Sequence, residues 1–246
     1  YFIMASTSET GHAKNIANFQ DLIAFVTLYG ITYNPSKNSL KLPQLNSLLT
    51  TAQTKLADVV LKNTAYNNTV NNRIIAFNGL KGLSTRLVNA LETTNAPKEM
   101  IKDAKGFNRK LQGKRSSTPE TQTDPNVPAP TTISASQQSY DQLIQHFAGL
   151  ISVLQSETSY TPNENELKIV TLTTKQADLT TKNNAVATAY ATISTSRIAR
   201  DKTLYDETSG LVDIATEVKK YIKSVYGATS QEFAQVKGIE FKKVKK

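Results

Sequence analysis

Tyr140-Asp141-Gln142-Leu143-Ile144-Gln145-His146-Phe147-Ala148-Gly149-Leu150-Ile151-Ser152-Val153-Leu154 sets apolar residues at Tyr140, Leu143, Ile144, Phe147, Leu150, Ile151 and Leu154. Steps of three and four return a side chain to the same side of an α-helix, so the stretch is one helix with one face to bury. Ile16, Phe19, Ile23 and Val26 repeat the spacing earlier in the chain. Both runs stop before a Tyr-x-Pro step, Tyr33-Asn34-Pro35 and Tyr160-Thr161-Pro162. Proline cannot continue a helix, and the Asn, Ser and Glu residues after it suit the start of another.

The recurrence extends beyond these loops. Leu40-Lys41-Leu42 returns as Leu167-Lys168-Ile169, Thr64-Ala65-Tyr66 as Thr188-Ala189-Tyr190, Arg73-Ile74 as Arg197-Ile198, Gly82-Leu83 as Gly210-Leu211, and Lys105-Gly106-Phe107 as Lys237-Gly238-Ile239. The fixed order and slowly drifting separation argue for a duplicated unit of somewhat over 100 residues, as about expected of a stacked repeat. A second helix is expected from near Ser39 and again from near Asn165. Leu45, Leu48, Leu49, Ala52, Leu56, Val59 and Val60 form its buried stripe in the first half.

The Asn-rich stretch 63–72 and the dipeptides Asn78-Gly79 and Ser209-Gly210 are the expected turns or kinks. They leave a third helix from about Val70 to Thr93 and from about Ile193 to Val225. Strand signals are weak, because the β-branched residues are mostly Thr and do not alternate with apolar ones. The expected fold is all-α, an elongated helical bundle of two pseudo-equivalent repeats of about three helices each. Its segments are a disordered or appended N-terminus 1–13, a first repeat 14–115, a Pro-rich linker 116–133 and a second repeat 134–246 with a basic tail. Met4 reads as the natural start.

The chain has 246 residues, 29 Lys and Arg against 20 Asp and Glu, no Cys and two His. Without Cys there are no disulfides, thiolate metal sites or cysteine nucleophiles. Ser, Thr, Asn and Gln make up a third of the residues. Such helices depend on packing more than on propensity. No secretory signal and no window of about 18 apolar residues occurs, so the expectation is a soluble, cytoplasmic chain.

The positive charge is local. Lys98, Lys102, Lys105, Arg109, Lys110, Lys114 and Arg115 stand against Glu99 and Asp103, and Lys237, Lys242, Lys243, Lys245 and Lys246 stand against Glu240; elsewhere the signs balance. Helical spacing sets Lys98, Lys102, Lys105 and Arg109 opposite Met100, Ile101, Ala104, Phe107 and Leu111. The candidate contacts to an anionic partner are Lys105, Arg109, Lys110, Lys114, Arg115, Lys242, Lys243, Lys245 and Lys246. The bland alternative is a solvated helix and a frayed lysine tail.

The order Ile133-Ser134-Ala135-Ser136-Gln137-Gln138-Ser139-Tyr140-Asp141, Tyr160-Thr161-Pro162-Asn163-Glu164, Arg197-Ile198-Ala199-Arg200-Asp201 and Lys220-Tyr221-Ile222-Lys223-Ser224-Val225-Tyr226-Gly227-Ala228 resembles a group of uncharacterised helical proteins of the Bacteroidota. The resemblance covers most of the chain, including Leu111-Gln112-Gly113-Lys114-Arg115. It implies a stand-alone protein of duplicated architecture and supplies no activity or functional residue.

Catalytic constellations do not assemble on the sequence. No GxxxxGK[ST] loop is present. Glu164 with Glu166, and Asp206 with Glu207, could hold a cation; the first pair also sits where carboxylates favour a helix N-terminus. His146 reads as the edge of a helix face, His12 lies in the unpatterned N-terminal segment, and Asn67-Asn68-Thr69 fits a glycosylation sequon. Tyr33 and Tyr160 are either an aromatic pair at one end of the bundle or rings packed under their own loops, and Tyr66 and Tyr190 read as core residues.

No cofactor or metal is expected. The first reading is a non-enzymatic protein with an interaction or structural role, its partner a protein or an anionic surface. The alternatives are a soluble chain that inserts into membranes through Leu22–Ile31 and Leu143–Leu154, and weak binding of nucleic acid or an anionic surface through the basic ends.

Overall fold

The computed structural model describes residues 10–114 and 138–243, all of them in helices, turns or loops with no strand among the described residues. The expected linker 116–133, the first nine residues, Arg115, Lys245 and Lys246 lie outside the described residues. The protein is all-α. In chain order the helices are α1 Thr10–Leu28, α2 Leu42–Phe77, α3 Leu80–Glu92, α4 Lys98–Gln112, α5 Tyr140–Ser156, α6 Ile169–Tyr205, α7 Leu211–Tyr226 and α8 Gln231–Lys237. Short 3-10 turns at Asn38–Leu40 and Asn165–Leu167 lead into α2 and α6.

Several boundaries differ from the sequence reading. Helix α1 begins at Thr10, so residues 10–13 are helical and His12 is buried. The Asn-rich stretch 63–72 does not turn; it lies inside α2, which runs 36 residues. Asparagine is a mediocre helix former but not a breaker, and between Pro43 and Gly79 the chain contains neither Pro nor Gly. The stop comes at Gly79, whose φ of +78° is left-handed backbone that favours glycine. The expected third helices are therefore the last turns of α2 with α3, and the last turns of α6 with α7. Among the described residues each half of the sequence holds four α-helices rather than three.

Threonine explains why such long polar helices are tolerated. The hydroxyls of Thr50, Thr51, Thr54, Thr173, Thr174 and Thr181 each donate to the carbonyl four residues back, at 2.8–3.0 Å. Their polarity is met within their own helix and asks for no partner.

The chain divides into two compact units that do not follow the sequence halves. One comprises residues 1–67 and 189–246, the other residues 68–188, and both α2 and α6 pass from one to the other. In the first unit Phe19, Leu22 and Val26 of α1 pack with Leu45 and Ala52 of α2, Leu204 of α6, Leu211, Val218 and Ile222 of α7 and Val236 of α8. In the second, Leu80, Leu87 and Leu91 of α3, Ala104 and Leu111 of α4, Phe147, Leu150 and Leu154 of α5 and Leu172 and Leu179 of α6 form the core. Val60, assigned to the buried stripe of α2, is half exposed, and Leu48 is only partly buried. The stripe that is buried outright narrows to Leu45, Ala52 and Val59, one residue every two turns.

Glycine in mid-helix costs about 1 kcal/mol against alanine, and Gly149 in α5 has a reason to be there. The Phe107 ring of α4 lies where a Cβ would stand. This close approach lets α4 settle on α5.

Each Tyr-x-Pro loop is tied down by its tyrosine. Tyr33 Oη donates to the Leu40 carbonyl at 2.7 Å and Tyr160 Oη to the Leu167 carbonyl at 3.0 Å, both from buried rings. Each ring closes a loop within its own unit, and Tyr33 meets Tyr221 edge-on at 5.2 Å. Tyr66 and Tyr190 are not core residues either. Their rings lie 6.0 Å apart, with Tyr190 half exposed.

Truncating Leu22 or Leu150 to Ala should cost about 2–5 kcal/mol in urea unfolding, while Val60→Ala should stay within about 0.5 kcal/mol. Gly149→Ala should also destabilise, because Phe107 must leave its seat. A protease site engineered into residues 116–133 should, once cut, give two fragments that co-elute in native size exclusion. Leu111 and Phe147, on opposite sides of the cut, share one core; separate elution would contradict the packing.

Candidate functional site

Residues 239–243 are held in place rather than frayed. Helix α8 is capped at its start by Ser230, whose Oγ accepts from the Phe233 N–H at 3.1 Å, and at its end by Gly238. The chain then runs non-helically along α1, where two asparagines hold its backbone. Asn15 donates Nδ2–H to the Lys242 carbonyl at 2.8 Å and accepts from the Lys242 N–H at 3.0 Å, and Asn18 donates to the Glu240 carbonyl at 2.6 Å. Ile239 and Phe241 pack against the core of the first unit.

This path encloses a groove of about 410 Å³ with α7 and α8 as its other walls, lined by Thr216, Lys219, Lys220, Phe233, Lys237, Ile239, Glu240, Phe241 and Lys242. Lys219 is spent on structure. Its Nζ donates to the carbonyls of Lys237 and Ile239, both at 2.9 Å, which supplies a donor to the last carbonyl of α8 and another to the segment that follows. Burial lowers its pKa, and the Glu240 carboxylate opposes that shift. Lys220, Lys237 and Lys242 are exposed and carry no ion pair among the described residues. Lys223, the next basic residue on α7, sits 5.8 Å from the Phe233 ring centre.

Of the residues singled out from the sequence, Lys242 lines this groove, and Lys243 beside it is neutralised by Asp213 at 2.6 Å. Lys105, Arg109, Lys110 and Lys114 lie in the second unit. Helix α4 is amphipathic as expected, with Ala104 and Leu111 buried and Lys98, Lys102, Lys105 and Arg109 exposed. There Lys105 pairs with Glu92, and Lys110 leans over the Phe107 ring at 5.5 Å. Arg109 and Lys110 fall in the last turn, where a cation favours the helix dipole, and Lys114 follows it, exposed. The basic stretches thus occur in different units.

Lys219, Lys220 and Lys237 were missed as contacts. Thr216, Lys219, Lys220 and Lys223 follow helical spacing and could have marked a face of α7. The fold-back that makes this face a wall depends on Asn15 and Asn18, more than two hundred residues away in sequence, and no local pattern announces it.

Of the acidic candidates, Asp206 and Glu166 are engaged in contacts of their own. Asp206 Oδ1 accepts from the N–H and hydroxyl of both Thr208 and Ser209, which drives its pKa down to about 2 and forms the turn into α7. Glu166 pairs with Arg86, which lowers its pKa. Among the described residues no group of three or more His, Asp or Glu could hold a metal ion. A second groove of about 410 Å³, in the other unit, includes this Arg86–Glu166 pair.

His12 is buried, with Nδ1 2.7 Å from the Tyr205 hydroxyl. His146, also buried, has no hydrogen-bond partner at Nε2. Burial lowers its pKa, and Lys110 adds to the shift. A proton is therefore bound less readily by the folded chain than by the unfolded one. Stability should fall as the pH drops below about 6.5, the ordinary histidine value, until the lowered folded pKa is passed. Urea midpoints compared between pH 7.5 and 5.5 should drop more for the parent than for His146→Gln; equal drops would remove His146 as the cause. No protein-family model, curated protein or solved structure matches this chain.

Proposed function

We propose that this chain is a non-enzymatic helical-bundle protein with an interaction or structural role, built from two duplicated repeats. What carries this reading is the use to which its perturbed groups are put. Asp206 organises the turn before α7, Glu157 accepts from the Ser159 N–H and hydroxyl after α5, and Glu166 holds Arg86. Tyr33 and Tyr160, both with pKa raised mainly by burial, close their loops. Catalytic groups of shifted pKa converge on a cleft. These are dispersed over helix ends and loops; Asp206, Glu157, Tyr33 and Tyr160 answer local backbone needs, and Glu166 answers one arginine.

The duplication is supported by matched devices. Tyrosine and accepting carbonyl are seven residues apart in both loops, and a 3-10 turn precedes both long helices. Arg73 of α2 donates to Asn183 of α6 at 3.1 Å, and Arg197 of α6 donates to Asn63 of α2 at 3.3 Å. On this reading each repeat gives its first helices to one compact unit and its last helices to the other.

One observation favours the membrane-inserting alternative: Leu28 and Ile31, at the end of α1, are 82% and 98% exposed. Against it, Leu22 and Val26 of that segment are fully buried, and among the described residues no helix is long and apolar enough to cross a membrane.

Two measurements decide. Vesicles loaded with a self-quenching dye should retain it in the presence of the chain; release that Leu28→Ser with Ile31→Ser abolishes would overturn the proposal in favour of insertion. A panel of generic hydrolase and transferase substrates should remain unconverted, and turnover removed by a single point substitution would make the chain an enzyme.

A further inference from the structure

The two grooves have the same volume and dispose their charge differently. In the second unit Arg86 is matched by Glu166, and Lys175 Nζ donates to the Ala76 carbonyl at 3.4 Å. In the first unit four ammonium groups, of Lys219, Lys220, Lys237 and Lys242, face one carboxylate, that of Glu240. The floor between them is apolar, made by Phe233, Ile239 and Phe241, each partly buried. We infer that the groove bounded by α7, α8 and residues 239–242 binds a small amphiphilic organic anion, a carboxylate, sulfonate or phosphate monoester carried on an apolar body.

Three features argue for this chemistry. The volume falls in the range of small-molecule sites, which are apolar with a few placed polar groups. The apolar body would cover Phe233 and Phe241, while the anionic head meets Lys220, Lys237 and Lys242, which have no counter-ion among the described residues. A hydrated inorganic ion gains nothing from the floor, and a nucleic-acid backbone gains only from the rim. The walls are also fixed in advance. Asn15 and Asn18 hold the tail, and Lys219 ties α7 to the end of α8, so little ordering is left for a ligand to bring about.

The inference rests on the interaction reading and is tested separately from it. The full chain is titrated with anilinonaphthalene sulfonate, an apolar anion that fluoresces when bound, and with its uncharged counterpart phenylnaphthylamine. The sulfonate should bind, more weakly at high salt. Affinity should fall about tenfold or more in the combined variant Lys220→Gln, Lys237→Gln, Lys242→Gln, the loss of roughly one charge-assisted contact. It should be unchanged in Lys98→Gln with Lys102→Gln on α4.

Thr216→Trp, which fills the groove from an exposed position of α7, should block binding with all the lysines in place. Melting curves confirm that each variant is folded, and Lys237→Glu alone serves if the triple variant is not. Octyl sulfate should displace the probe; inorganic phosphate at the same concentration should not.

Absence of sulfonate binding, equal affinity in the groove variants, equal binding of phenylnaphthylamine, or displacement by phosphate would overturn the inference. So would displacement by anionic phospholipid vesicles without displacement by octyl sulfate, which would assign the lysines to a membrane surface. These outcomes leave the interaction reading to dye release and turnover; a positive turnover assay would remove that reading while the groove remained measurable.

Discussion

Two helices of 36 and 37 residues, α2 and α6, are the constraint on which the rest of this structure depends. Each enters from one compact unit and leaves in the other. Their continuity follows from what they lack. Past its first turn α2 contains no Pro or Gly, and α6 contains none at all. Their threonines bond to their own backbones, and most of their outward positions are polar. With mediocre propensity throughout, they persist because Leu45, Ala52, Leu172 and Leu179 are buried by helices from elsewhere in the chain.

The buried polar groups show where that packing is exacting. Arg200, wholly buried in the first unit, donates from Nε and Nη2 to the Asp201 carboxylate at 2.9 and 2.7 Å. A buried cation is tolerated only when its charge is met and its donors are used. Ser84 is equally enclosed, and its hydroxyl donates to the Asn108 side chain at 2.8 Å and so links α3 to α4. By contrast, Lys37–Glu217 and Lys243–Asp213 are ion pairs whose lysines are about half exposed. Pairs of that kind contribute roughly 0–1 kcal/mol.

Helix type and the breaks at Asn78-Gly79 and Ser209-Gly210 were legible in the sequence, because period, proline and glycine act locally. The heptad-like return of Leu143, Phe147, Leu150 and Leu154 marked a face that is partly or wholly buried in the structure. What was not legible depends on distant partners. Nothing local separates Val60, half exposed, from Val59, fully buried, and no pattern assigns residues 68–77 of α2 to the unit of α5. The candidate site was half visible. The lysines of the C-terminus stood out by charge, but only the bonds from Asn15 and Asn18 turn them from a solvated tail into one wall of a groove. His12 could not be foreseen as buried, because its partner Tyr205 lies 193 residues further along the chain.

The clasp between α1 and the segment at Lys242 also sets an order of events during synthesis. Chains emerge from the ribosome amino end first, and domains fold as they become complete. The unit of residues 68–188 is contiguous, and its whole sequence has been made before the residues 189–242 that the other unit needs. The unit that opens the chain has to wait, because α1 carries Phe19, Leu22 and Val26 fully buried against residues not yet made, and its clasp needs the backbone of residue 242. Of the described helices α1 is thus made first and housed last, and its apolar face depends until then on whatever shelters a nascent chain.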